Sequence, residues 1–275
     1  MMNDLLMPPY RSEIVEDLPW QEYLDSPGMN PSWLVNGLKS MRKFRYGRYS
    51  EKPNRSMRIG SLAHQMLLEP GEFSSRYAVF DGIFNESHDA YKKWQWKNDG
   101  KDPIKPSDYD EASRIADAVR EKPLAMELIN ETTHEVSIYC EDMGLQCKGR
   151  VDGLGPRLTD LKTTTNVEGR VFGTIFHRLH YAEKLGCYMR WAQKLGIDVQ
   201  EVYVIAAESQ PEYDVTVIPI PLAVLEPAWH RIERIMERIR TCVEEDNWPG
   251  VDEGGLYELN VPLWSMSDEE ALDWS

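Results

Sequence analysis

Residues 133–165, THEVSIYCEDMGLQCKGRVDGLGPRLTDLKTTT, constrain the fold more than any other stretch. THEVSIYCE alternates. Val136, Ile138 and Cys140 face one way and Glu135, Ser137 and Tyr139 the other, as in a half-buried strand. A DMG turn follows and LQCKGRVD alternates again. Leu145, Cys147 and Val151 share one face, and Lys148, Arg150 and Asp152 the other, because strand side chains repeat every two residues. GLGP turns the chain once more, and RLTDLKT forms a third strand with Asp160 and Lys162 on one face. Three strands joined by tight turns commit this region to a sheet.

Helical periodicity surrounds the strands. Asn30 caps, and Pro31 opens, a helix over NPSWLVNGLKSMRKF. A second helix spans about 56–69, with Ile59, Leu62, Ala63, Met66 and Leu67 at helical spacing and His64 beside that stripe, one turn after Gly60. Ser107 starts a third helix that reaches Lys122. A long helix covers at least 174–195, with Leu179, Ala182, Leu185, Met189 and Ala192 inward. VQEVYVIAAE and YDVTVIPI are strands, and 222–246 is the last helix. The order is helix, three strands, helix, strand: an α/β fold with a mixed sheet flanked by helices and an N-terminal helical elaboration. Residues 1–29 read as an irregular arm, 30–246 as one domain with its core at about 56–220, and 247–275 as an acidic, loosely structured tail.

No apolar run approaches the roughly 18 residues that a membrane span needs. The first residues are acidic and lack a basic n-region, so the expectation is a soluble, cytoplasmic protein without a secretory signal. Four cysteines occur without a CxxC pair and fall at apolar-phase positions; buried reduced thiols are expected, and no iron–sulfur cluster. Net charge is −15, but its distribution matters more than its sum. After Arg240 there are ten acids and no base, whereas 42–58 holds seven basic residues, Arg45 and Arg48 among them, interleaved with Phe44, Tyr46 and Tyr49. That mixture suits a phosphate backbone and its bases, and equally a solvated loop. A second basic–aromatic patch, YKKWQWKNDGK, occupies 91–101.

Two carboxylates on neighbouring strands repel unless something positive joins them, and a hard divalent cation such as Mg²⁺ or Mn²⁺ does so. Asp152 closes one strand and Asp160 sits in the next, so both can reach one ion, with the Leu161 carbonyl as a neutral oxygen ligand. Lys162 projects beside them to orient a water or stabilise charge on a phosphate. Lys148 and Arg150, on the Asp152 face, fit an anionic substrate. The bland alternative is a salt-bridged hairpin.

The segments HEVSIYCEDMGLQCKGRVDGLGPRLTDLKTTT and GSLAHQMLLEP resemble the PD-(D/E)XK (restriction-endonuclease-like) nuclease superfamily, with its αβββαβ core. Within it they are most similar to the exodeoxyribonuclease VIII (RecE-like) branch of phages and prophages. The resemblance covers most of 28–220. It implies Asp152 and Asp160 as metal-binding acids, Lys162 as the catalytic lysine, His64 as an upstream metal ligand, and Glu135 as a less certain one. One or two Mg²⁺ or Mn²⁺ ions are implied. Thr163 and Thr164 could offer hydroxyls to phosphate or only cap the next helix. The family commonly carries a Gln between two Tyr on the following helix; here the residues are Tyr181, Lys184 and Tyr188, so Lys184 stands at the Gln position, where it could bind phosphate. The implied activity is metal-dependent 5′-to-3′ degradation of double-stranded DNA ends, with a single-strand annealing protein as partner and a ring-shaped homo-oligomer. Two alternatives stay open: a structure-specific or restriction-like endonuclease, and an inactive DNA-binding or assembly protein.

Overall fold

The computed structural model describes residues 8–47 and 54–252. A six-stranded sheet runs in the order β1 (Glu13–Val15), β4 (Thr133–Asp142), β5 (Leu145–Leu154), β6 (Arg157–Thr164), β7 (Glu201–Glu208), β8 (Val215–Pro219). Only β6 and β7 are parallel; the other neighbours are antiparallel. Met143 and Gly144, with φ of 52° and 75°, make the two-residue turn between β4 and β5. Such a turn matches the twist of the strands it joins and fixes their register. Asp142 faces Leu145, His134 faces Gly153 and Val136 faces Val151, so Glu135 stands directly across from Asp152. Past this hairpin the ladder thins. β5 and β6 share one paired position, Gly153 with Thr159.

Each face of the sheet is covered by helices, although the alternation requires cover on one face only; Ser137, Tyr139 and Lys148 of the polar face are buried too. On one side α2 (Pro31–Leu34), α10 (Tyr181–Lys194) and α11 (Leu222–Glu245) bury Leu34, Trp191 and Ile232 against Ile138, Cys147 and Val151. On the other, α4 (Arg55–Leu68), α7 (Pro106–Arg120) and α8 (Pro123–Asn130) bury Ile59, Leu62, Ile115 and Leu128 against Leu161 and Ile205. Asn54 caps α4 by accepting from the Met57 amide at 2.9 Å. The four cysteines are buried and unbridged, and no described helix is long and apolar enough to cross a membrane.

Several elements depart from the sequence reading. The helix expected from Asn30 is three pieces: α2, a 3-10 turn over Val35–Leu38, and α3 (Met41–Tyr46). Asn30 does cap α2, accepting from the Trp33 amide at 2.8 Å. Gly37 lies so close to α11 that a Cβ there would be 2.5 Å from Ile235 Cγ2, and Ser40 starts α3 with its own cap to the Lys43 amide. The helix expected over 174–195 is likewise two, α9 (Gly169–Arg178) and α10, broken where His180 takes φ 55°. Leu179, expected inward, is therefore 41% exposed. Residues 13–25 are not irregular: β1 extends the sheet beyond β4, and α1 (Trp20–Asp25) follows it. Between α4 and α7, α5 (Pro70–Arg76) leads to a parallel pair, β2 (Tyr77–Val79) and β3 (Asp102–Ile104), joined through α6 (Asp89–Lys97). The start of the acidic tail packs inward, with Trp248 stacked on Phe44 at 6.1 Å between ring centroids. Residues 253–275 lie outside the described residues.

Candidate active site

The site grows from the carboxylate pair that the β4–β5 register creates. Like charges directly opposed across two strands are destabilising. Glu135 also adopts φ 52°, a left-handed conformation that costs a non-glycine residue roughly 1–3 kcal/mol. His64 of α4 reconciles the pair. Its Nδ1 lies 3.0 Å from Glu135 Oε1 and its Nε2 lies 2.9 Å from Asp152 Oδ2. Burial opposes a charge on the imidazole, yet Asp152 and then Glu135 outweigh it and push the His64 pKa up to about 10. A protonated ring thus sits between two carboxylates. Gly60, one turn earlier, makes the approach of α4 feasible: a Cβ there would fall 2.5 Å from Thr163 Oγ1 on β6.

Asp152 also bridges the thin part of the sheet. Its Oδ2 accepts the Leu161 backbone N–H at 2.8 Å, beyond the one paired position that β5 and β6 share. Burial alone would raise its pKa, but His64, Lys162 and the Leu161 amide hold it well below the carboxylate range. Lys162 Nζ lies 2.5 Å from Asp160 Oδ2 and 4.0 Å from Asp152 Oδ2, and donates to the Leu161 carbonyl at 3.3 Å. That buried Asp160 oxygen is thus held by the Lys162 ammonium as a close ion pair. Burial, assisted by the neighbouring Asp152, pushes the Asp160 carboxyl up to about 6 despite Lys162. Lys162 itself is held above its ordinary value: burial acts downward, but Asp160 and Asp152 prevail.

Behind this row stands Arg150. It pairs with Glu135 Oε2 at 2.5 Å and Glu69 Oε1 at 3.2 Å, and donates to the Leu18 carbonyl at 2.7 Å. The four acids Glu69, Glu135, Asp152 and Asp160 therefore face His64, Lys162 and Arg150. Exchanging the imidazolium proton for a divalent cation would balance the charges. The donor set fits such an ion: one His64 nitrogen and one carboxylate oxygen from each of Glu135 and Asp152 lie within 4.8 Å of one another.

The remaining residues singled out from the sequence are placed as follows. Lys148 is buried, and its ammonium donates to the carbonyls of Tyr23, Leu24 and Ser26 at 2.6, 3.1 and 2.7 Å. It anchors α1 to the sheet and does not face a substrate; Arg150 is likewise committed inside. Strand parity assigned both to a face correctly, but residues 18–26 cover that face. Arg45 is used within the chain, on Asp246 at 3.1 Å and over the Trp248 ring at 5.2 Å. Arg48 lies outside the described residues. Thr163 packs under Gly60, and the Thr164 hydroxyl donates to the Asn166 carbonyl at 3.2 Å, closing the turn that leads to α9. Lys184 is half-buried near Lys162, and both ammoniums lie over the Tyr181 ring, at 5.4 and 5.5 Å. Burial and then Lys162 bring the Lys184 pKa down to about 8. Tyr188 packs on Gly149, where a Cβ would be 3.0 Å from its ring. Glu69 escaped the sequence reading. For Glu135 a signal existed: a two-residue turn at Met143–Gly144 implies its position opposite Asp152.

A family model and one solved structure agree with this architecture. The family described as "PDDEXK-like domain of unknown function (DUF3799)" matches residues 38–257. A crystal structure of a Eubacterium rectale protein provisionally named an exonuclease superposes with a TM-score of 0.62 at 16% identity, covering 92% of this chain and 99% of that one. A phage-related exonuclease from Haemophilus somnus 129PT aligns over 82% of this chain and 100% of its own, with a TM-score of 0.34 and 9% identity. No curated protein matches the sequence.

Proposed function

Because the chain belongs to this PDDEXK-like family, we propose that it is a metal-dependent deoxyribonuclease, a phosphodiesterase acting 5′ to 3′ on double-stranded DNA ends in the manner of the RecE-like branch. The observation that carries the reading is the row His64–Glu135–Asp152–Lys162–Asp160. It concentrates donors for one divalent cation beside a protonated ammonium, on a strand pair opened at that point. Glu135, Asp152 and His64 would hold Mg²⁺ or Mn²⁺, with Asp160 and the Leu161 carbonyl completing the set. When bound, the cation polarises the scissile phosphate and lowers the pKa of a coordinated water.

The chain's own groups do the rest. Lys162 stays positively charged at neutral pH, so it serves as a donor to the oxygen on which charge develops, not as a base. Asp160 orients that ammonium. Lys184, beside it over Tyr181, places a second positive group where phosphate would lie. Arg150 holds Glu135 from behind and prevents it from turning away. Substrate would be the ends of duplex DNA, in the cytoplasm. A single-strand annealing protein and a ring of identical subunits are the partners that the resemblance suggests.

Linear and covalently closed circular duplex DNA, each with Mg²⁺ or with chelator, test the reading beside Asp160→Asn. Metal-dependent loss of linear DNA alone, abolished by the substitution, is expected. Cleavage of the closed circle would replace the exonuclease by an endonuclease, and undiminished digestion by the variant would remove Asp160 from the chemistry.

A further inference from the structure

We propose that the outward face of α6 is a binding platform for single-stranded nucleic acid, with Trp96 as the stacking surface and Lys92, Lys93 and Lys97 as phosphate contacts. The proposal extends the nucleic-acid reading above and rests on it for the identity of the polymer.

α6 has two unlike faces. Tyr91 and Trp94, three residues apart, stack with their rings 6.1 Å apart and 7° from parallel, and both pack on Phe80 at 5.3 and 5.5 Å. The Trp94 indole N–H donates to the Val79 carbonyl at 3.0 Å, fixing the helix to β2. The mounting is therefore aromatic and rigid. The opposite face carries Trp96, which is 84% exposed. Lys92 and Lys93 precede it by one turn, at the helical spacing that makes side chains neighbours, and Lys97 follows. None of these three lysines forms an ion pair with a described residue. Asp89, one turn before Lys92 and Lys93, is the one acid within α6, so the helix keeps a surplus of lysines beside a bare indole, a pairing that suits an anionic, flat-faced partner.

Single-stranded nucleic acid has both properties, because its unpaired bases offer π faces between phosphates. A duplex hides those faces. A membrane surface would require a broad apolar stripe, and here Tyr91 and Trp94 are already used on Phe80.

The test is fluorescence anisotropy of labelled oligothymidylate and of a blunt duplex with the full chain, in chelator so that binding is read without cleavage. Trp96→Ala should weaken oligothymidylate binding roughly tenfold, as loss of one base stack predicts, while Trp96→Phe retains most of it. Lys92→Ala/Lys93→Ala should lower the slope of log affinity against log salt by about 1.4. Thermal melts of the variants should match the parent, since these side chains bury little. Unchanged oligothymidylate binding by both variants would overturn the proposal and leave α6 as a protein-docking face. Loss confined to the duplex would overturn it as well. Cleavage of linear DNA is a separate readout. Cleavage with unaltered Trp96→Ala binding removes the platform and keeps the nuclease. Trp96-dependent binding without cleavage does the reverse.

Discussion

Metal binding at this site should expel a proton, and His64 should be its source. With a pKa of about 10, the imidazole is almost fully protonated at pH 7, and its two nitrogens are engaged by Glu135 and Asp152. A cation can take the Nε2 position only after that proton leaves. Three pH units at about 1.4 kcal/mol each set the penalty near ~4 kcal/mol at pH 7, which solvent reaching the 22%-exposed side chain reduces. Apparent affinity should therefore rise up to tenfold per pH unit between 7 and 9. The Asp160 carboxyl, at about 6, is already ionised across most of that window. Isothermal titration with Mn²⁺ in buffers of different ionisation enthalpy should report about one proton released per ion at pH 7. His64→Asn should bind more weakly but release none. Lys184→Gln controls for the one neighbouring amine that titrates in the same range. Mn²⁺ binding whose heat is independent of the buffer would refute the reasoning: the ion would then sit among the carboxylates with His64 undisturbed.

Further consequences can be checked separately. Without metal, His64 contributes stability that is complete below pH 6.5 and disappears as pH rises through 10, and Asp160, also raised, acts in the same sense between about 4 and 6. The melting temperature of the chelated protein should therefore fall from pH 7 to pH 10, with a shallower fall for His64→Asn. Lys162→Ala removes the ammonium aimed at the developing charge and should reduce kcat by roughly 10²–10³-fold with metal affinity largely kept, measured by titration and single-turnover cleavage. Gly60→Ala drives a Cβ against Thr163 Oγ1 and should cost about 1–3 kcal/mol in chemical denaturation together with metal affinity; Thr163→Ala in the same chain should restore part of both. If Lys184 binds phosphate, activity should decline as pH rises through about 8, and Lys184→Gln should lose that limb in a pH–rate profile.

Sequence periodicity carried the hairpin, the helix bearing His64 and the sheet-flanked architecture because alternation and helical spacing report which face is buried. They do not report what lies on top. Lys148 and Arg150 are on the Asp152 face, but residues 18–26, α1 among them, close over that face, so both cations serve the fold. His180 could not be read as a break because αL geometry in a non-glycine residue leaves no compositional mark, and the apolar phase runs across it from Leu179 to Ala182. The α6 face was visible as interleaved lysines and aromatics; which aromatic is bare and which is packed required coordinates.

The single paired position between β5 and β6 makes Asp152 a structural clasp as well as a proposed ligand. Shortening it to alanine would unfasten the two halves of the sheet from each other, and lost activity would then confound architecture with chemistry. Asparagine, whose amide oxygen can still receive the Leu161 N–H, is the substitution that separates them. The gap proposed to admit a phosphate is thus kept from widening by one of the side chains proposed to address it.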